Sequence, residues 1–89
     1  MKAVITVTGR DSVGIIARVS AFCTDHNANI VEITQSVLSE YFAMIMVVEI
    51  GELNIPFAAF ADQLAEMGRT SALDIRAMHE DIFNTMHHI

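Results

Sequence analysis

Breakers, sulfur bridges and positive charge are all scarce in this chain of 89 residues, and each scarcity excludes something. Cys23 is the only cysteine, so neither an intrachain disulfide nor a thiolate metal cluster can form. The basic residues Lys2, Arg10, Arg18, Arg69 and Arg76 are scattered singly among eleven acidic ones, for a formal charge of −6. Phosphate neutralisation needs clustered positive charge, so nucleic acid is not an expected partner, and an anionic membrane surface is excluded for the same reason. No apolar run approaches the roughly 18 residues that a bilayer span requires. The first apolar run is broken by Thr6, Thr8 and Gly9, too soon for the core of a signal peptide. A cytoplasmic protein is expected.

Apolar residues are what the chain has in excess. Hydrophobic residues make up 53% of a chain near the lower size limit for a single domain without staples. A small monomer rarely exposes a large apolar patch, so the composition predicts a homo-oligomer or a permanent partner.

Residues 2–8 predict a strand with Ala3, Ile5 and Val7 on one side and Val4, Thr6 and Thr8 on the other, both faces at least partly covered. From Val13 to about Asn27, Ile15, Ile16, Val19, Phe22 and Cys23 recur at helical spacing, and Asn27 suits a left-handed stop. Residues 30–38 predict a second strand with Val31, Ile33 and Val37 facing the core. Ser39-Glu40 predicts a tight hairpin turn. The unbroken apolar run from Tyr41 to Val48 predicts a central strand covered on both faces. Pro56 opens a helix on Phe57, Phe60, Ala61, Leu64 and Ala65 that Gly68 closes, and residues 70–78 predict the last strand. Ile82, Phe83 and Met86 in the tail are spaced for a short helix that packs on the domain or on a second copy. The order β-α-β-β-α-β is the split βαβ, or ferredoxin-like, α+β sandwich: a four-stranded antiparallel sheet with two helices on one face. The expected division is a domain at 1–78 and a helical extension at 79–89.

The stretch Val7-Thr8-Gly9-Arg10-Asp11-Ser12-Val13-Gly14-Ile15-Ile16 carries the functional signal. A strand stops at a glycine, and a helix begins after a short polar loop. Gly9 can take backbone angles that other residues avoid, Gly14 lets another group approach the main chain, and Asp11 and Ser12 suit a helix start. Free N–H groups and the helix dipole favour a small anion such as a carboxylate there.

With this loop and the Ala28-Asn29-Ile30 start of the second strand, residues 2–78 resemble the ACT domain, a small regulatory ligand-binding module. The whole is similar to stand-alone ACT proteins of this length and to one half of the two-ACT regulators of glycine cleavage genes. The resemblance implies a homodimer that senses a small amino acid or related metabolite, is not an enzyme, and passes its signal to a regulated protein. It implies a ligand held between two copies by Arg10, Asp11, Gly14 and Ile15 of one and Asn29 and Ile30 of the other. Val13 stands where many such domains have proline, and Gly9 where some have a polar contact. The alternative is a module that only dimerises or docks on a partner.

Other constellations carry less chemistry. Cys23 and His26, at i and i+3, offer a metal two ligands, too few for a site. His79, His87 and His88 lie near Glu80 and Asp81, but adjacent histidines diverge on a helix. The six methionines are expected as pliable core. Arg10 invites comparison with acylphosphatase, an enzyme of similar topology with an arginine in its first loop, although that family's flanking pattern is missing. No cofactor is implied.

Overall fold

β-Branched and small residues alternate at the start of the chain and build β1 (Lys2–Gly9). The computed structural model describes residues 1–10 and 13–86. After β1 come α1 (Ile15–Asp25), β2 (Asn29–Leu38), β3 (Tyr41–Glu49), α2 (Phe57–Thr70), β4 (Asp74–His79) and α3 (Glu80–Met86). The strands form one sheet in the order β2-β3-β1-β4, every neighbouring pair antiparallel. This is the expected ferredoxin-like arrangement.

The pairing register sorts the side chains onto two faces. Ala3, Ile5 and Val7 of β1 lie opposite Val48, Met46 and Met44 of β3 and His79, Ala77 and Ile75 of β4. Apart from His79 and the partly buried Ala77, these residues and Phe42 receive the helices: Ile15, Val19 and Cys23 from α1 and Phe60 and Leu64 from α2 are buried with them in one core cluster. Phe22 and Phe60 join the two helices, their rings 5.2 Å apart. Met44 and Met46 are fully buried, as expected of pliable core, while Met1 and Met86 are exposed.

Helix ends depend on local chemistry. α1 closes in a Schellman motif: the N–H of Ala28 reaches the carbonyl of Cys23 at 2.8 Å, that of Asn27 reaches Thr24, and Asn27 takes φ 61°. Asn27 therefore does what its sequence position predicts. α2 closes in the same way with a less suited residue. Leu73 N–H reaches the Gly68 carbonyl at 2.8 Å, and Ala72 holds φ 58°. The helix thus runs two residues past Gly68, and β4 starts at Asp74 rather than residue 70. Gly68 is used for closeness, since a Cβ there would lie 2.8 Å from the Leu73 carbonyl oxygen. Pro56 is the N-cap of α2, one position before its first turn.

Two expectations about coverage need correction. Ile33 and Val37 of β2 do lie on the helix side, paired with Met46 and Phe42, yet they are 39% and 69% exposed. β2 is one of the two edge strands, and α1 contacts it far less than α2 contacts the other edge, β4. Val31, the extra residue of a bulge, is also exposed. β3 is internal to the sheet as predicted, but it is covered on one face only. Phe42, Met44, Met46 and Val48 are buried, while Tyr41 and Ile45 on the opposite face are exposed.

β1 is covered on both faces at one end, as predicted. Val4 points away from α1 and α2 and is nevertheless 2% exposed. The element lying against β1 and β4 is α3. No residue of α3 is buried, and Ile82 and Met86 remain exposed, so of the three apolar tail residues only Phe83 is drawn part-way in. His79 belongs to β4.

Candidate functional site

The connection between β1 and α1 begins with Gly9, which is the last ladder residue, opposite Phe42. Its backbone is not left-handed, since Gly14 is the only glycine with positive φ. Leu73 instead packs over it: a Cβ at Gly9 would meet the end of the Leu73 side chain, which would have to turn aside. Gly14 carries the unusual backbone. It is the N-cap of α1 at φ 74°, open space lies beside it, and it has no side chain to cap the helix. The first-turn N–H groups of an α-helix have no acceptor within the helix. The helix therefore starts at Ile15, two residues later than Val13, with an exposed N-cap glycine through which a ligand can approach the main chain. Ile15 itself is buried, so it can offer a ligand only its backbone. Asp11 and Ser12 lie outside the described residues.

Arg10 is turned toward the hairpin. Its Nη2 lies 2.8 Å from Glu40 Oε1 and donates to the Tyr41 hydroxyl at 3.4 Å, with the guanidinium carbon 5.4 Å from the centre of the Tyr41 ring. Glu40 and Tyr41 were not predicted as site residues. Only the pairing of Gly9 with Phe42 makes Arg10 level with Tyr41, and a single sequence does not reveal register.

Asn29 and Ile30 are elsewhere. Asn29 is exposed in a shallow cleft of about 400 Å³ lined with Thr24, Asn27, Ala28 and Glu52, and Ile30 is half-buried against the core. Asn29 is level with Glu49 and so with Lys2, whereas the loop leaves from Gly9. Those two rows are seven positions apart along β1, roughly 23 Å at about 3.3 Å per residue. One chain does not bring the predicted residues together.

The remaining candidates resolve into structural roles. Cys23 is buried, and its burial pushes the thiol up to about 11. His26 Nδ1 donates to Asn54 Oδ1 at 2.8 Å, Asn54 Nδ2 donates to the Asp25 carbonyl at 2.9 Å, and the His26 ring packs on Phe22. These contacts tie the end of α1 to the loop after β3. His79 stacks on Phe57 at 4.3 Å and borders a cleft of about 550 Å³ with Met1, Lys2, Glu80, Asp81 and Ile82, a feature the sequence did not signal. His87 and His88 lie outside the described residues. Among the described residues no group of three or more His, Cys, Asp or Glu could hold a metal ion, and no helix is long and apolar enough to cross a membrane.

The strand order, the Gly14 cap and the Asn29 strand start can be set beside known proteins. Residues 2–77 match the ACT domain family. The chain belongs to that family. Among curated relatives, a UPF0237 protein of Clostridium perfringens is 43% identical over 100% of both chains, and one of Bifidobacterium longum is 41% identical over 99% of this chain and 98% of its own. Among solved structures, an ACT domain protein from Streptococcus pneumoniae superposes with a TM-score of 0.80 at 37% identity, covering 93% of each chain. A formyltetrahydrofolate deformylase from Pseudomonas syringae superposes with a TM-score of 0.76 at 25% identity. The match takes 88% of the ACT chain but only 27% of the deformylase.

Proposed function

We propose that this ACT domain protein is a regulatory module that binds a small amino acid at a site completed by a second copy of itself. The observation that carries the reading is the separation of Asn29 from the Gly14 loop, together with the free edge of β2. Residues 31–37 of that edge strand are exposed, and Val31, Ile33 and Val37 give it an apolar character that an unpaired edge normally avoids. A second copy laid antiparallel along β2 would set its own Asn29 and Ile30 near the end of β2 that pairs with Phe42, the end from which the loop departs. A two-fold axis makes this contact twice, giving two sites per pair.

The chemistry of such a site follows from its parts. The ligand carboxylate would lie at the first-turn N–H groups of α1, where the dipole favours negative charge, with the Arg10 guanidinium as its side-chain partner. Gly14 leaves the backbone accessible, Asn29 of the other copy offers both a donor and an acceptor, and Ile30 forms an apolar wall. Asp11 would accept from the ammonium. Each ligand would touch both chains, so binding and association would be linked, and a protein that reads the association state would carry the output. The reading includes no catalytic step.

A module that only dimerises would use the same apolar edge without the loop. A thermal-shift screen of the twenty amino acids separates the two. A ligand raises the melting temperature in step with ln(1 + [L]/Kd), and a pure dimerisation module shows no shift at any concentration.

A further inference from the structure

Three contacts from one hairpin converge on Arg10: the Glu40 carboxylate at 2.8 Å, the Tyr41 hydroxyl at 3.4 Å and the Tyr41 ring at 5.4 Å. A guanidinium takes a carboxylate in a planar fork and stacks on an aromatic face, and here the chain's own residues supply both partners. The register gives these contacts a common origin. Arg10 follows Gly9, the ladder partner of Phe42, while Glu40 and Tyr41 occupy the turn and strand start just before Phe42. The Arg10 and Glu40 side chains are 65% and 59% exposed, so dissolved anions reach the pair freely.

We propose that Glu40 is an internal competitor for Arg10, which a ligand carboxylate must displace before Arg10 can hold it, and that Tyr41 keeps the guanidinium in place in both states. This rests on the reading of the first loop as a ligand site for its biological meaning. The competition itself depends only on the three side chains. Arg10 is thereby a weaker anion receptor than a free arginine on the same loop. An exposed ion pair contributes little, so removing the competitor strengthens anion binding about two- to five-fold.

The test uses acetate as the carboxylate probe, titrated against chloride at constant ionic strength, with the Arg10 Nε–H nuclear magnetic resonance signal as readout. Glu40→Gln lowers the acetate concentration at half-change two- to five-fold, and Tyr41→Leu broadens the Arg10 signal without restoring that gain. Equal midpoints in wild type and Glu40→Gln, or no acetate-dependent shift in either protein, overturn the proposal. The amino-acid screen is a separate measurement. A silent screen with a shifted midpoint removes the sensor reading and leaves the competition standing, and a positive screen with equal midpoints does the reverse.

Discussion

Gly68 and Leu73 are locked together across the end of α2. The Leu73 N–H donates to the Gly68 carbonyl at 2.8 Å, and a Cβ on Gly68 would lie 2.8 Å from the Leu73 carbonyl oxygen and 3.0 Å from the Ile75 nitrogen. Both are backbone atoms at the entry to β4, which cannot rotate aside as the nearby Ile75 side chain could. Alanine is favoured over glycine by about 1 kcal/mol in an open helix. Here Gly68→Ala should instead lower stability, by about 1–3 kcal/mol from overpacking. Urea unfolding measures the sign, and a stabilised variant would mean that β4 can draw back from α2 at no cost.

Ala72 presents the opposite case. It holds φ 58° at the αL position of the same motif, where a Cβ is unfavourable by roughly 1–2 kcal/mol. Ala72→Gly removes that strain while adding some unfolded-state entropy, so a net gain of about 0.5–1 kcal/mol is expected. Ser39, at φ 59° in the two-residue turn between β2 and β3, should respond to Ser39→Gly in the same direction. Thermal melts of the two single variants and the double variant check both gains and their additivity.

Cys23 makes stability depend on pH in the alkaline range. Burial raises its thiol from 9.0 to about 11. Below pH 9 the thiol is protonated in both states and contributes no slope. Between pH 9 and 11 the unfolded chain ionises first, so stability falls as pH rises. Two units correspond to about 3 kcal/mol at most. Wild type should lose that much relative to Cys23→Ala over this interval. A thiol reagent at pH 8 should label Cys23 only at the rate of unfolding.

Much of this was legible from local patterns, and the misses share a physical cause. Asn27 is a residue that tolerates the left-handed conformation, and it closes α1 as its type suggests. Ala72 is not such a residue, so the sequence points to Gly68 for the end of α2, although the role of Gly68 is close packing. The alternation in β2 correctly placed Ile33 and Val37 on the helix side, but alternation reports direction and not coverage. Coverage depends on where the helices lie: α2 packs closely on the edge strand β4, while α1 contacts the other edge, β2, much less. Arg10 was visible as a candidate, while its contacts with Glu40 and Tyr41 depend on the Gly9–Phe42 register. Long-range pairing leaves no short-range signal.

The exposed edge of β2 gives a test of association. Ile33→Lys places a charge on an apolar edge residue that is 39% exposed and touches little of the core. Edge lysines oppose strand-to-strand pairing. Sedimentation should show self-association weakened tenfold or more, about 1.4 kcal/mol, with the melting of the isolated fold little changed. Unaltered association would move the contact to another surface.

The most direct test of a ligand site shared between two copies is complementation, read by calorimetry with an amino acid that binds wild type. Asn29→Ala leaves the Gly14 loop intact, and Gly14→Val leaves Asn29 intact. Neither variant alone should bind, because every site in either homodimer lacks one half. When the two are unfolded together and refolded at equal concentration, half of the random pairs are mixed, and each mixed pair has one complete site. The account predicts binding at about a quarter of the wild-type site number with near wild-type affinity. A mixture as silent as its components, or a wild type that binds no amino acid at millimolar concentration, would contradict it.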